Sequence, residues 1–294
     1  MIHFPNCKIN IGLSIVEKRT DGYHNIETVF YPLAVEEALE IVPAPDGNSL
    51  HVTRYTLLFQ HKPPLVPPKG EKAENTEVHR ENSQLFGNGE DNLVIKAYKL
   101  LLRHFPLPPL HFHLHKAIPI EAGLGGGSSD AACTLKMLNE MFKLSLSKQQ
   151  LYDFAEQLGA DCPFFIENTP LFATGKGEVL KKIALDLSFY KILIVKPPCA
   201  VSTKEAYGNI VPQKAKYPLF EAIKQPVSEW KNLIFNDFEP FAFTKHPEIK
   251  HIKATLYDHG ALYASMSGSG SAVYGIFDRM PNISFSENYT IFQI

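Results

Sequence analysis

Residues 119–132 read PIEAGLGGGSSDAA: four glycines in five positions, then two hydroxyls and a carboxylate. Glycine inside regular structure costs about 0.5–1 kcal/mol relative to alanine, so the cluster needs a use. Without side chains, backbone amides can close on a ligand, and a helix starting directly afterwards adds unpaired N–H groups and the positive end of its dipole. The chemistry of such a loop is anion binding, usually of phosphate. Ser128 and Ser129 offer hydroxyls to phosphate oxygens or a magnesium ion, and Asp130 could hold a cation. A plain Gly/Ser linker is the alternative, but this run lies between an apolar strand pattern and an amphipathic helix.

Two familiar phosphate loops are excluded. GxxxxGK[ST] fails because Gly175-Lys176 has Pro170 where the first glycine belongs. A dinucleotide fingerprint fails because the sixth residue from Gly123 is Ser128. HRE at 79–81 is not the HRD of a protein-kinase catalytic loop.

The elements that must hold this loop are readable from periodicity. CKINIGLSIV at 7–16 alternates as a strand, Asp21-Gly22 marks a turn, and VFYPLAV and ALEIV read as two further strands. From Pro43 to Asp91 the pattern weakens, and the segment reads as a polar surface excursion without a core pattern. Asp91 or Asn92 can cap a helix over DNLVIKAYKLLLRHF. HFHLHKAI is a strand leading into the glycines; SSDAACTLKMLNEMFKL and LSKQQLYDFAEQLGA are helices, the second capped by Ser147 and ended by Gly159. DCPFFI reads as a stiff turn, followed by strands in TGKGEVLKKI and FYKILIVKP. STKEAY and KATLYDHG read as helical, and ALYASMSGSGSAVYGIF as two strands around a second Gly/Ser loop. Strands and helices mix without βαβ regularity, which argues for α+β.

Composition bounds the class. The chain has 294 residues, 45% hydrophobic and 20% charged, with net charge −2 and pI near 6.6. That balance gives no electrostatic footprint for nucleic acid or an anionic membrane. No apolar run reaches the roughly 18 residues of a span, and MIHFPNCKINIG lacks a secretory pattern; a cytoplasmic protein is expected. Cys7, Cys133, Cys162 and Cys199 show no CxxC spacing and read as reduced thiols, not a zinc set. His111, His113 and His115 share one strand face, which reads as a solvated face because no cysteine or carboxylate in the sequence nearby completes a metal shell.

PIEAGLGGGSSDAA resembles the second motif of the GHMP kinases, the family of galacto-, homoserine, mevalonate and phosphomevalonate kinases. KINIGLSIVEKRTDGYHNIETVF, GADCPFF and SMSGSGSAVYG resemble further signatures of one branch of it, in the same order along the chain. The similarity covers most of the sequence except about 45–90, which is longer here and leaves any adenine contact in that segment open. The resemblance implies an α+β GHMP kinase fold: an N-terminal domain like domain 2 of ribosomal protein S5 (1–168), a ferredoxin-like C-terminal domain (169–294), and the active site in the cleft between them.

It also implies roles. ATP, expected with Mg2+, would lie on Pro119, Ile120, Glu121, Ala122, Gly123, Leu124, Gly125, Gly126, Gly127, Ser128 and Ser129; Glu121, where the family often has a small residue, is expected to face water. Asp161, which alone would read as a cap or turn residue, would be the base. Lys8, which alone would read as a solvated strand lysine, would polarise the attacking hydroxyl beside it. Asn10, two residues along the same strand face, could fix the substrate alcohol. The substrate implied is a cytidine diphosphate-linked methylerythritol, phosphorylated on its 2-hydroxyl in the non-mevalonate route to isoprenoids. Tyr23, His24, Thr203 and Tyr207 would hold its cytidine end, with aromatic rings either side of the base. SGSGS at 267–271 would pack against the phosphate loop. Metal ligands stay open. No nucleic acid and no membrane partner are expected, and the chain is expected as a monomer or weak homodimer. The alternatives are another GHMP kinase acting on mevalonate or a sugar, or a non-catalytic nucleotide sensor on the same fold.

Overall fold

The structure, a computed structural model, describes residues 1–44, 91–213 and 215–294 and the backbone of 49–54. The readings of residues 45–48 and 55–90, including the excursion and any adenine contact there, lie outside the described residues.

The alternation that starts at Cys7 belongs to a long strand. After β1 (Ile2–His3), β2 (Asn6–Lys18) runs through a turn into the antiparallel β3 (His24–Glu36). β4 (Ala38–Pro43) follows, and β5 (Ser49–Arg54) falls where the sequence pattern is weak. α1 (Leu93–Leu102) is capped by Asn92, whose Oδ1 accepts the Val94 N–H at 2.9 Å. β6 (Leu110–Lys116) leads into the glycines and α2 (Gly126–Met141). α3 (Lys148–Leu158) opens with a reciprocal Ser147/Gln150 capping box.

DCPFFI is a correction to the expected turn: it is a short helix, α4 (Cys162–Glu167). Pro163 sits in its first turn, where a missing N–H and a fixed φ favour a helix start. β7 (Leu171–Thr174) and β8 (Val179–Lys182) complete a sheet of order β2-β3-β7-β8, and a second sheet runs β1-β4-β6-β5. Strand pairing therefore carries residues 171–182 with the first unit, beyond the expected division at 168/169: β7 follows α4 with only a short turn and pairs back on β3.

The second unit holds β9 (Lys191–Lys196), α5 (Thr203–Gly208), α6 (Leu219–Ala222), α7 (Trp230–Leu233), α8 (Glu239–Lys245), α9 (Pro247–Asp258), β10 (Tyr263–Met266), β11 (Val273–Phe277) and β12 (Thr290–Gln293). Its antiparallel sheet, β10-β11-β9-β12, has the strand order of a ferredoxin-like fold, with a loop in place of a helix between β11 and β12. No helix of the described residues is long and apolar enough to cross a membrane.

β2 joins the two units. Cys7, Ile9 and Ile11 pack in one core with Ile194, Trp230 and Tyr274, while Leu13 and Ile15 pack in another with Phe238 and Ile252. Its far half is stitched to residues 235–237: Leu13 N–H donates to the Phe235 carbonyl (2.9 Å), and Ile15 N–H to Asp237 Oδ2 (2.7 Å). Strand register between bulges at Asn6/Cys7 and Ile11/Leu13 keeps Lys8 and Asn10 on one face.

A buried ionic cluster fixes the glycine run against this frame. Lys116, at the end of β6, donates to Asp130 Oδ2 (2.8 Å) and to Glu37 Oε2, and Glu37 Oε1 accepts the N–H of Ala117 (3.1 Å) and Ile118 (2.8 Å). Burial, then the neighbouring Asp130 charge, push the Glu37 carboxyl up to about 8. Burial alone would lower the Lys116 ammonium, but the two carboxyls outweigh it and raise it. The cluster is therefore near neutral when Glu37 keeps a proton. An acid whose folded value is raised binds more protons folded than unfolded, so stability should fall as pH climbs from about 4.5 towards 8. Denaturant midpoints across that range should show the decline, with a flatter slope in Glu37→Gln. Lys116→Met should lose about 3–5 kcal/mol, the cost of orphaning a buried charge.

Candidate active site

The glycine run, β2 and the start of α4 border a cavity of about 1100 Å³. Residues 119–128 all line it. Gly123 and Gly125 take left-handed φ of +76° and +73°, a conformation glycine adopts without a Cβ penalty. At Gly123 the approach is also too close for a side chain: a Cβ would lie 1.9 Å from the Ser267 carbonyl oxygen. The second Gly/Ser loop packs there as expected. Ser267 Oγ donates to the Gly123 carbonyl (2.8 Å), and the N–H groups of Ser271 and Ala272 reach the carbonyls of Glu121 (3.3 Å) and Ala122 (3.1 Å). The α2 N-terminus, from Gly126, faces the same space. Glu121 is exposed, at φ +52°.

Ser129 departs from the expectation. It is buried and lines a separate pocket of about 90 Å³ with Asn6, Cys133 and Asn168. One residue along a helix turns the side chain by about 100°, and here that step carries Ser129 away from the cavity that Ser128 lines.

Lys8 and Asp161 meet across it. Lys8 is 3% exposed; its Nζ lies 3.2 Å from Asp161 Oδ2, donates to the Gly123 carbonyl (3.2 Å) and to Asn10 Oδ1, and sits 5.0 Å from the centre of the Phe30 ring. Asp161 immediately precedes α4 but makes no side-chain cap bond, which leaves its carboxylate directed at Lys8. Asn10 is engaged at both ends of its amide: Oδ1 accepts from Lys8, and Nδ2 donates to Thr28 Oγ1 (3.0 Å). These bonds hold Lys8 in place on β2.

At the aromatic end of the cavity three rings pack together. The His24 ring stacks on Tyr207, centroids 5.0 Å apart and planes 26° apart, and Tyr207 meets Phe238 edge-on at 4.9 Å. Tyr23 is 60% exposed on the rim, with Lys176 Nζ over its ring. Burial, then Lys18, lower His24; a neutral imidazole presents one donor and one acceptor. The Thr203 and Ser269 hydroxyls lie 2.8 Å apart at the cavity edge. The sequence reading missed Asp91, Asn92, Phe238 and Lys116 as cavity residues; only Asp91 and Asn92 carried a local signal, as candidate caps.

The family profile "GHMP kinases N terminal domain" matches residues 92–168, and "GHMP kinases C terminal" matches 219–287. The chain is 51% identical to the 4-diphosphocytidyl-2-C-methyl-D-erythritol kinase of Bacteroides thetaiotaomicron, over 100% of this chain and 99% of that one. It belongs to this family of GHMP kinases. A member from Chlorobium phaeobacteroides is 33% identical, covering 94% of this chain and 86% of that one. A crystal structure of 4-(cytidine 5'-diphospho)-2C-methyl-D-erythritol kinase superposes with TM-score 0.72 at 29% identity, over 94% of this chain and 90% of that one. Mevalonate kinase from Methanococcus jannaschii shares the fold alone, with TM-score 0.65 at 15% identity over 100% and 97% of the chains.

In this GHMP kinase the glycine loop and the 267–271 loop act as one unit. Gly123→Ala should clash with Ser267 and part them. Nucleotide titration should show at least a tenfold loss of ATP affinity, and unchanged binding would separate the contact from the cradle.

Proposed function

We propose that this chain transfers the γ-phosphoryl group of ATP to the 2-hydroxyl of 4-diphosphocytidyl-2-C-methyl-D-erythritol, in the methylerythritol phosphate route to isoprenoid precursors. The observation that supports it best is the Lys8–Asp161 pair, 3.2 Å apart, whose lysine also bonds the phosphate loop at Gly123. A loose phosphoryl-transfer transition state asks the protein for position and charge more than for covalent help. The triphosphate lies along 119–128, with amides and the α2 N-terminus on its oxygens. Asp161 accepts the proton of the alcohol as its oxygen bonds the γ-phosphorus, and the bond from that phosphorus to the β–γ bridging oxygen breaks, releasing ADP. Lys8 orients the hydroxyl and stabilises charge on the transferring group, and Asn10 positions Lys8.

The cavity also suits Mg2+, a hard cation that takes oxygen ligands. Ser128 lines it, and Asp130 Oδ1 is buried there without a hydrogen-bond partner. Bound there, the ion would neutralise phosphate charge. At the other end, the His24–Tyr207 pair forms a platform: the imidazole meets the polar edge of cytosine and the base stacks against the aromatic group, while Tyr23 and Thr203 close the rim.

Three measurements test this. ADP release should depend on 4-diphosphocytidyl-2-C-methyl-D-erythritol and stay at background with mevalonate or galactose; equal release with those alcohols would contradict the substrate. Asp161→Asn should lower turnover by about 10²–10⁴ with ATP binding retained; a change of only a few-fold would make Asp161 structural. Tyr207→Ala should raise the KM for the cytidylyl substrate about tenfold or more, given stacking of roughly 1–3 kcal/mol, and leave the KM for ATP nearly unchanged.

A further inference from the structure

Cys199, His246 and Glu248 come together away from the cavity, and none of the three lines it. Cys199 follows β9 in the Pro197-Pro198 loop, His246 separates α8 from α9, and Glu248 is in the first turn of α9. A sulfur, an imidazole nitrogen and a carboxylate oxygen lie within 4.8 Å of one another. This is the one such metal-competent group among the described residues. Cys199 is also the only cysteine of the four that is not buried. His246 Nδ1 is 3.8 Å from Glu248 Oε1, and its Nε2 is buried with no hydrogen-bond partner.

We propose that Cys199, His246 and Glu248 form a binding site for one thiophilic divalent cation of the zinc class. The donor set is the argument. A thiolate and an imidazole select zinc-like ions over magnesium, which prefers an all-oxygen shell, so the site is chemically distinct from the one that serves ATP. Thiolate and carboxylate together balance a charge of +2. Metal–ligand bonds of about 2.0–2.3 Å put tetrahedral donors roughly 3.3–3.8 Å apart, so closing on an ion needs adjustments of about 1 Å. Three protein ligands leave the fourth position to water. On binding, the sulfur–metal bond replaces the S–H bond and the proton goes to solvent.

The backbone around the site gives the ion leverage. The Cys199 carbonyl accepts the Lys196 ammonium (2.8 Å) and the Ser271 hydroxyl (2.5 Å), and Thr203, four residues on, meets Ser269. A bound cation would tie α9 to the segment that delivers Thr203 and Tyr207 to the cavity.

The test uses the full chain, freed of metal and without ATP, titrated with Co2+. Binding should produce a thiolate-to-cobalt charge-transfer band in the near ultraviolet that saturates at one equivalent. Zn2+ should displace it and Mg2+ should not. Cys199→Ser should abolish the band, and His246→Gln and Glu248→Gln should each weaken binding at least tenfold. Because Cys199→Ser could alter folding, a second reading uses the unaltered chain: stoichiometric Zn2+ should slow alkylation of Cys199 at least tenfold. No charge-transfer band, a band that survives Cys199→Ser in folded protein, or alkylation indifferent to Zn2+ would overturn the proposal.

Discussion

An ammonium group that is 3% exposed must be held by its neighbours, and Lys8 is held by three of them. Burial of a charge is costly unless it is paired and hydrogen-bonded. Here the partners are a carboxylate from the start of α4, a carbonyl from the phosphate loop and an amide from Lys8's own strand. Each comes from a different stretch of chain, so the requirement to satisfy one buried cation also fixes the distance between the glycine loop and Asp161. Neither half could shift without stranding the charge.

The rest of the architecture can be read as support for that contact. β2 carries Lys8 and packs into cores on both sides, so its position is set by both units of the chain. The phosphate loop is gripped from one side by the 267–271 loop and from the other by Lys116 with Glu37 and Asp130. A glycine-rich loop has little rigidity of its own. Its shape is imposed by hydrogen bonds to its carbonyls from the second unit and by an ionic cluster from the first. In the proposed reaction, a loop held in this way supplies the preorganisation that charge stabilisation in a transition state needs.

Much of this frame was legible in the sequence because it is local. Strand alternation, the Asn92 and Ser147 caps and the glycines before α2 are all short-range signals, and each corresponds to an element of the fold. α4 was not legible, because six residues carry too little periodicity to separate a helix from a turn. Phosphate binding was legible in the glycine run itself, but the roles of Lys8 and Asp161 only by resemblance. A strand lysine looks solvated until its burial is known, and an aspartate near proline looks like a cap. Two long-range groupings gave no signal: Glu37 and Lys116 are 79 residues apart, and Cys199 and His246 meet only once β9 and α9 have packed. For the His24–Tyr207 stack, resemblance supplied both residues, but their contact forms only when α5 meets the start of β3.

The claim that one lysine links cradle and base is tested most directly by single-turnover kinetics of Lys8→Met with ATP and 4-diphosphocytidyl-2-C-methyl-D-erythritol both saturating. The account predicts that the transfer step slows at least a hundredfold while the Kd values of both ligands change by less than about tenfold. A transfer rate within a few-fold of the unaltered chain would contradict it.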